Sequence, residues 1–458
     1  MTEHTLGPGI RRLRPDDHFM ILAETDATPM QIGALVFLDV AGADRAGVFA
    51  ALRDHLLARL AHTPLLAVLH EAPDGYDSDV WVDVADIDID KHIQRVSEPL
   101  DAARLRRFVA DKAMERLDLS RPPFRIVVFD NLPGGEAALH LTVHHAVTDG
   151  VGFQTLLGLL SDDTEPATAT RQAGALPTPE IWRAAADARF TALDEARASR
   201  RALTDQALTM LRSGSLPPRG VTPTLKLSGP TSPQRAYATL SLPFERVRAL
   251  GKALKGTVND VFLALAASAL RRYLLDIDDL PTTPIMVNSA RSYRRPAHGD
   301  FSNRIVAMHP HLATHLADPL DRLRAIQNAM ADERARTPYD EALLDAPEKP
   351  YGARDRRARF ADKTRGGAAV LPGNVTLSNV PGPSDARSWA GFRQIANYPT
   401  PLLGSGRFLN ITSRRNGDNL DLGIMADPTK ISDVDRLARY VVEALAEYEG
   451  LARPPTSR

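Results

Sequence analysis

The sequence predicts an α/β protein of two lobes, and three observations predict it. The first is a strand that runs straight into a helix, EAALHLTVHHAVTDGVGFQTLLGLL, Glu136 to Leu160. Apolar residues alternate there at Ala137, Leu139, Leu141 and Val143, the period of a half-buried strand; Phe153, Leu156, Leu157 and Leu160 then follow at helical spacing. The second is that the chain restarts after residue 225 with a similar mixture of strands and helices. The third is the stretch between, residues 161–225, which opens acidic, small and Pro-bearing and reads as a crossover linker with a helix. The division predicted is therefore a lobe over 1–160, a linker over 161–225 and a lobe over 226–458. Both lobes mix strands and helices in similar amounts.

In order, HFMILAE forms a first helix capped by Asp16 or Asp17, and PMQIGALVFLDV a strand. VFAALRDHLLARLAH is amphipathic helix, LLAVLH and DVWVDV are short strands, and Pro99 to Asp118 is a charged helix. Arg125 to Phe129 pairs through LPGGE with the strand at Ala137–Val143 as a hairpin. Beyond the linker helix, Ile181 to about Leu211, come the strand RAYATLSL and the helix FERVRALGKAL. TVNDVFLALAASALRRYL is apolar almost all round, so it is a core helix starting near Thr257. Two strands, TPIMVNSARSYRR and SNRIVAMHPHL, flank a basic loop, and PLDRLRAIQNAMADE is helix. Residues 336–370 are weakly periodic and read as a mobile loop or lid. VTLSNVPGP, a hairpin of RFLNITSRR with LDLGIMAD, and a helix from Val434 to about Tyr448 complete the chain.

The 458 residues carry a net charge of −1, so overall charge points neither to nucleic acid nor to a strongly anionic membrane. The absence of cysteine removes disulfides, thiolate metal sites and any acyl-cysteine intermediate, and fits a reducing cytoplasm. The N-terminus shows no apolar signal segment, and the longest apolar run, VFLALAASAL, is about half a membrane span. Membrane contact, if any, is expected to be peripheral.

The chemistry concentrates at HHAVTDG. Alternation points His145 with the core residues, into whatever cavity the strand end borders, and sends His140, Thr142 and His144 to the other face as solvent-facing polar residues. A histidine in such a place suits general-base work, because its ordinary pKa of ~6.5 leaves it neutral and proton-accepting near neutral pH. Asp149, four residues on, either caps the helix or pairs with an arginine to hold the loop. The plainer alternative is a core histidine and a plain N-cap. No G-x-S-x-G elbow, Walker A loop, dinucleotide fingerprint or H-E-x-x-H is present. His140 and His144 share a face but have no evident third metal ligand, so no metal site is expected.

HHAVTDG resembles the active-site signature of the CoA-dependent acyltransferase superfamily, which includes chloramphenicol acetyltransferase-like enzymes and peptide-synthetase condensation domains. With TVNDVFLALAASALRRYL and LSNVPGP, in that order and spacing, it resembles the bacterial wax ester synthase/diacylglycerol acyltransferase family. DDHFMILAETDATPMQIGALVF and PLDRLRAIQNAM extend the likeness, which is weakest over 161–225 and 336–370. Pro122, Pro123 and Phe124 stand where the family has Pro-Leu-Trp, and Met30, Gln31 and Ile32 where it has Met-His-Val.

The resemblance implies a chloramphenicol acetyltransferase-like fold, each lobe a mixed sheet flanked by helices with the active-site tunnel between them, and a catalytic set of His145, Asp149 and His144, with His145 the base and Asp149 mainly structural. It implies transfer of a fatty acyl group from acyl-CoA, a co-substrate, to diacylglycerol or a long-chain alcohol, with no cofactor. Gly150, Asn259, Asp260, Asn303, Ser378 and Asn379 are the candidate substrate-binding residues. An oxyanion donor comes from Asn259, Ser378, Asn379 or a backbone N–H, a choice left open, with Asn303 and Arg291 weaker candidates. Arg291 is more simply the structural partner of Asp149. The expected location is cytoplasmic, with peripheral contact at the inner membrane face or lipid inclusions. The basic loops SARSYRR and GARDRRARF are either solvated surface or attractors for CoA phosphates or anionic headgroups. Two rival readings stand beside this one: a related acyltransferase for a specialised hydroxyl or amine, or an inactive lipid-binding protein.

Overall fold

The computed structural model describes residues 6–165, 172–195, 197–214, 220–299, 301–345, 352–364 and 372–452. The first lobe runs β1 (Ile10–Arg12), α1 (Pro15–Leu22), β2 (Gln31–Asp39), α2 (Arg45–Leu60), β3 (Ala67–His70), β4 (Val80–Asp83), β5 (Ile93–Val96), α3 (Ala102–Lys112), β6 (Phe124–Leu132), β7 (Glu136–His144) and α4 (Gly150–Leu160). α5 (Pro179–Glu195) and α6 (Arg197–Arg212) cross over. The second half follows as β8 (Ala236–Pro243), α7 (Phe244–Ala253), α8 (Val258–Asp276), β9 (Val287–Ser292), β10 (Ile305–Met308), α9 (Pro319–Asp345) and α10 (Ala353–Lys363). It ends with β11 (Val375–Val380), β12 (Ser388–Trp389), β13 (Phe392–Thr400), β14 (Leu409–Asn416), β15 (Asn419–Ala426) and α11 (Val434–Ala452).

The strands form two six-stranded sheets, β12-β13-β2-β7-β6-β5 and β10-β9-β11-β14-β15-β8, with a small sheet β1-β4-β3 beside the first. β7 lies between β2 and β6, antiparallel to both, with His144 opposite Gln31 and Thr142 opposite Gly33. Its alternating Leu139, Leu141 and Val143 pack with α2 and α4 residues in one core. The other face is not solvent: His140, Thr142 and His144 are 1%, 4% and 0% exposed. The second half covers it, with Tyr237, Leu403 and Met425 packing among Val127, Phe129 and Ala138. A strand buried on both faces places its polar residues in the interface between the lobes, which is why the expected solvent face is absent. Gly33 permits the closeness there, since a Cβ would stand 2.3 Å from the Leu141 carbonyl and 2.4 Å from Thr400 Oγ1.

The second lobe is built round α8, whose Thr257 and Asp260 form a reciprocal capping box. Val261 to Leu270 and Leu274 of α8 lie in a core shared with β11, β14, β15 and α11. Trimming one of its buried leucines to alanine would cost about 2–5 kcal/mol.

Two expectations change. Residues 388–400, counted with the second lobe, form β12 and β13 and complete the first lobe's sheet, β13 pairing with β2. Residues 336–370 are helical over the parts described, as the end of α9 and as α10; the remainder of that expected lid, 346–351 and 365–370, lies outside the described residues. α10 is held by charge rather than by an apolar stripe: Arg357 meets Asp79 at 2.7 Å and Glu71 at 3.2 Å. Asp77, beside Asp79, accepts from Arg12, Trp182 and Arg189, so one small sheet anchors both α5 and α10. The linker is helical on both sides of residue 196, which lies outside the described residues.

Candidate active site

β7 ends at His144, and the chain turns through His145 to Thr148 into the N-cap of α4. Asp149 Oδ1 accepts the backbone N–H groups of Val151 at 3.0 Å and Gly152 at 2.9 Å. Its Oδ2 accepts Arg294 Nη2 and the Arg304 N–H, each at 2.8 Å. The cap and the arginine partner are thus one arrangement. The arginine is Arg294, which corrects the expectation of Arg291. Arg291 is still within β9, paired with Val306, and its side chain is exposed. Arg294 lies past the strand end, where the loop folds back over Asp149, and it also donates to the Gly299, Phe301 and Ser302 carbonyls.

The two histidines have separate surroundings. His144 Nδ1 accepts the Ala146 N–H at 3.1 Å, which puts its proton on Nε2, 3.6 Å from Glu24 Oε1. Glu24 also accepts the Met30 N–H at 3.0 Å and Arg116 at 2.8 Å. Burial would raise the Glu24 pKa, but His144, Met30 and Arg116 together hold it below the usual value. His144 is thus fully buried, between the Ala146 N–H and Glu24.

His145 is fixed by its main chain. Its N–H donates to Met30 O at 2.7 Å and its carbonyl accepts Asn303 Nδ2 at 2.7 Å. From Ala137 to Asp149 it is the one residue that is not buried. Desolvation pushes its pKa down, against its own carbonyl and Asp149, which pull the other way. The ring is neutral near pH 7. His140, by contrast, is pushed down to about 3 by burial and by Arg125 and Lys112, and it is enclosed. Among the described residues no group of three or more His, Asp or Glu side chains is placed to hold a metal ion.

The opposing wall comes from β11. A Cβ on Gly150 would stand 3.1 Å from Val380, so this glycine lets the end of β11 approach the start of α4. Val375 and Leu377 face the second core, and alternation puts Ser378 and Val380 on the other face, toward the histidine loop. Asn379 is held by Ser413, whose hydroxyl donates to its amide oxygen at 3.0 Å. Asp260 caps α8, and Gln327 of α9 meets the nearby Leu254 and Lys255 carbonyls; Asn259 lies in the same first turn of α8. Asn303 is fully buried and donates to the His145 carbonyl.

A cleft of about 450 Å³ opens between α3 and β8, lined by Arg106, Met114, Arg235 and Tyr237. Arg235 also borders a small void beside Gln31, His140 and Thr142. Asp17, Glu24 and Arg294 were not singled out for the site by sequence reasoning. The signals were Asp17 in a helix start, where it reads as a cap, and Arg294 within the basic loop SARSYRR.

Residues 13–262 match the wax ester synthase/diacylglycerol acyltransferase catalytic domain, and residues 301–449 match the C-terminal domain of that family. A Mycobacterium tuberculosis protein provisionally named diacylglycerol O-acyltransferase is 30% identical, covering 95% of this chain and 99% of its own. The O-acyltransferase WSD of Acinetobacter baylyi is 25% identical over 96% of this chain and 98% of its own. Among solved structures, the wax ester synthase/diacylglycerol acyltransferase of Marinobacter aquaeolei VT8 superposes with a TM-score of 0.68 at 24% identity, covering 96% of this chain and all of that one. The first condensation domain of the CDA synthetase shares the fold at a TM-score of 0.56 and 17% identity, covering 95% and 96%.

Proposed function

The chain belongs to the wax ester synthase/diacylglycerol acyltransferase family, and from that premise we propose that His145 is the general base of its acyl transfer. The enzyme is an O-acyltransferase that moves a fatty acyl group from acyl-CoA to diacylglycerol or a long-chain alcohol, giving triacylglycerol or wax ester and CoA.

The thioester is already activated; what it lacks is a placed, deprotonated hydroxyl. His145 Nε2 takes the hydroxyl proton as the oxygen attacks the thioester carbonyl. The tetrahedral intermediate then collapses, the C–S bond breaks, and the proton passes from His145 to the CoA thiolate. Such a base contributes ~10²–10⁴-fold. Asp149 is a positioning group, because both of its oxygens are engaged by backbone and Arg294. His144 holds the strand end through Glu24 and does not meet substrate. For the oxyanion we assign Ser378, which shares a face of β11 with the residue packed on Gly150. The reaction so written uses no cofactor. Both acceptors partition into lipid, so the reading includes peripheral contact with a cytoplasmic membrane face or lipid inclusion. No single helix among the described residues is long and apolar enough to cross a membrane.

The observation that carries this is the exposure pattern: from Ala137 to Asp149 every residue is buried except His145, which is partly exposed. The test is CoA release from palmitoyl-CoA, read with a thiol reagent, with hexadecanol or dipalmitoylglycerol as acceptor. The protein has no thiol to add background. Acceptor-dependent release that disappears in His145→Ala is expected. Equal release by both proteins would remove His145 as the base.

A further inference from the structure

We propose that Asp17 positions the His145 base, acting through Asn303. This inference rests on the reading that His145 is that base.

Asp17 and Asn303 come from opposite halves of the chain. Asp17 is in the first turn of α1, and Asn303 lies just before β10. They are 3% and 0% exposed. One carboxylate oxygen, Asp17 Oδ1, accepts both the backbone N–H of Asn303 at 2.7 Å and its Nδ2 at 2.8 Å. The same Nδ2 donates its other hydrogen to the His145 carbonyl at 2.7 Å. Asp17 Oδ2 is engaged by the Arg14 N–H at 3.2 Å, as the helix cap requires. A cap alone would need only that oxygen, and would not need to be buried against the other lobe.

The orientation of the amide follows. An ionised carboxylate only accepts, so the NH₂ end of Asn303 is the end that faces Asp17. With that end fixed, the amide oxygen is turned away from Asp17. That oxygen and His145 Nδ1 are both buried and without a hydrogen bond of regular geometry. The Asn303 side chain is also one of the groups that favour a proton on the His145 ring. The stronger such group is the ring's own carbonyl, which Asn303 holds at 2.7 Å; a proton kept on Nδ1 leaves the Nε2 lone pair for the hydroxyl proton. The arrangement does for His145 what an orienting carboxylate does for other bases, with a neutral amide as the relay. No second negative charge then stands against the ring to raise its pKa. Burial pushes the Asp17 carboxyl up to about 6 even against its hydrogen bonds with Asn303, so the contact is retained at an energetic disadvantage near neutral pH.

The experiment compares full-length Asp17→Asn, Asp17→Ala, Asn303→Ala, the Asp17→Ala/Asn303→Ala double variant and His145→Ala in the CoA-release assay, with melting temperatures alongside. Asp17→Ala and Asn303→Ala are each expected to lower kcat by ~10–100-fold with KM for palmitoyl-CoA held within about twofold, because misplacing a reacting group costs turnover rather than affinity. The double variant is expected to lose no more than the worse single variant. Asp17→Asn keeps the shape but lets the amide turn over, and is expected to lose less. In ¹⁵N-histidine-labelled protein, the signal missing from His145→Ala identifies His145; it is expected to move away from the Nδ1–H tautomer in Asp17→Asn and Asn303→Ala. A fully active Asp17→Asn and Asn303→Ala beside an inactive His145→Ala would overturn the proposal alone. So would multiplying losses, a KM rise at unchanged kcat, or an unmoved tautomer. A fully active His145→Ala would instead overturn the base assignment, and this proposal with it. If Asp17→Ala does not fold, Asp17→Asn and Asn303→Ala decide the matter.

Discussion

At the residue scale, His145 titrates against a balance of opposing neighbours. Desolvation lowers its pKa, His144 adds to that, and its own carbonyl, Asp149 and Asn303 oppose it; the net shift is downward from 6.5. A protonated ring cannot accept the hydroxyl proton, so kcat/KM falls as pH drops through that pKa. The expected profile falls on the acid side with an apparent pKa under 6.5. A limb centred above 7 would contradict it. Asp17 carries the opposite kind of shift. Its folded pKa, about 6, lies above the ordinary carboxyl value of 3.8. The linked stability is therefore fully present below 3.8 and is lost as pH rises through about 6. The melting temperature of Asp17→Asn is accordingly expected to move in the variant's favour relative to the parent between pH 4 and above pH 6, then to run parallel. His145 and Asp149 were legible because a strand period, a turn and a cap are local. Arg294 was not, since it reaches the loop from 145 residues away, and Asn303 was named only through the family resemblance, not for the bond it makes to the loop from 158 residues away.

At the element scale, the loop between β9 and β10 is the second half of the site. Thr148 bridges Ser302, and the Ser302 N–H donates to the Val147 carbonyl, so the turn is laid along the histidine loop. Arg294 ties the turn to itself and to Asp149. Removing it leaves a fully buried carboxylate without its cation; Arg294→Ala is expected to cost about 3 kcal/mol in denaturant unfolding and most of kcat. Arg291→Ala, exposed on the strand, is expected within ~0.5 kcal/mol of the parent. Equal costs for the two would reverse the assignment made from the geometry. Sequence spacing did find the two strands and the basic loop between them. It did not say which arginine turns inward, because that depends on where the strand ends. The same limit applies to α10, whose docking by Arg357 leaves no apolar period to read.

At the scale of the whole molecule, β13 joins the lobes. It is hydrogen-bonded into the first sheet along β2, yet its Asn397 reaches into the second. The Asn397 N–H donates to Asp421 Oδ2 at 2.7 Å, and its side-chain oxygen accepts Arg414 at 2.9 Å. Arg414 and Asp421 are register partners on β14 and β15, and both are buried. Burial pulls Arg414 down to about 9 and pushes Asp421 up, so each charge is held there against desolvation. Periodicity found β14 and β15 but passed over β13, because RQIANYPT lacks a clean apolar alternation: its polar residues are buried against the other lobe rather than facing water. That is the physical limit on reading a two-lobed chain from pattern, which assumes that polar means exposed. The hub also makes a testable claim about how the lobes are held. Asp421→Ala removes the carboxylate beside a buried guanidinium and is expected to cost about 3–5 kcal/mol. Replacing the cation as well, in Asp421→Ala/Arg414→Met, removes the charge that was left stranded. The double variant is expected to regain about 1–3 kcal/mol over the sum of the single losses, measured by urea unfolding. Additive losses would mean that the two charges act separately, and that the lobes are joined by the apolar contacts of β13 rather than by this polar hub.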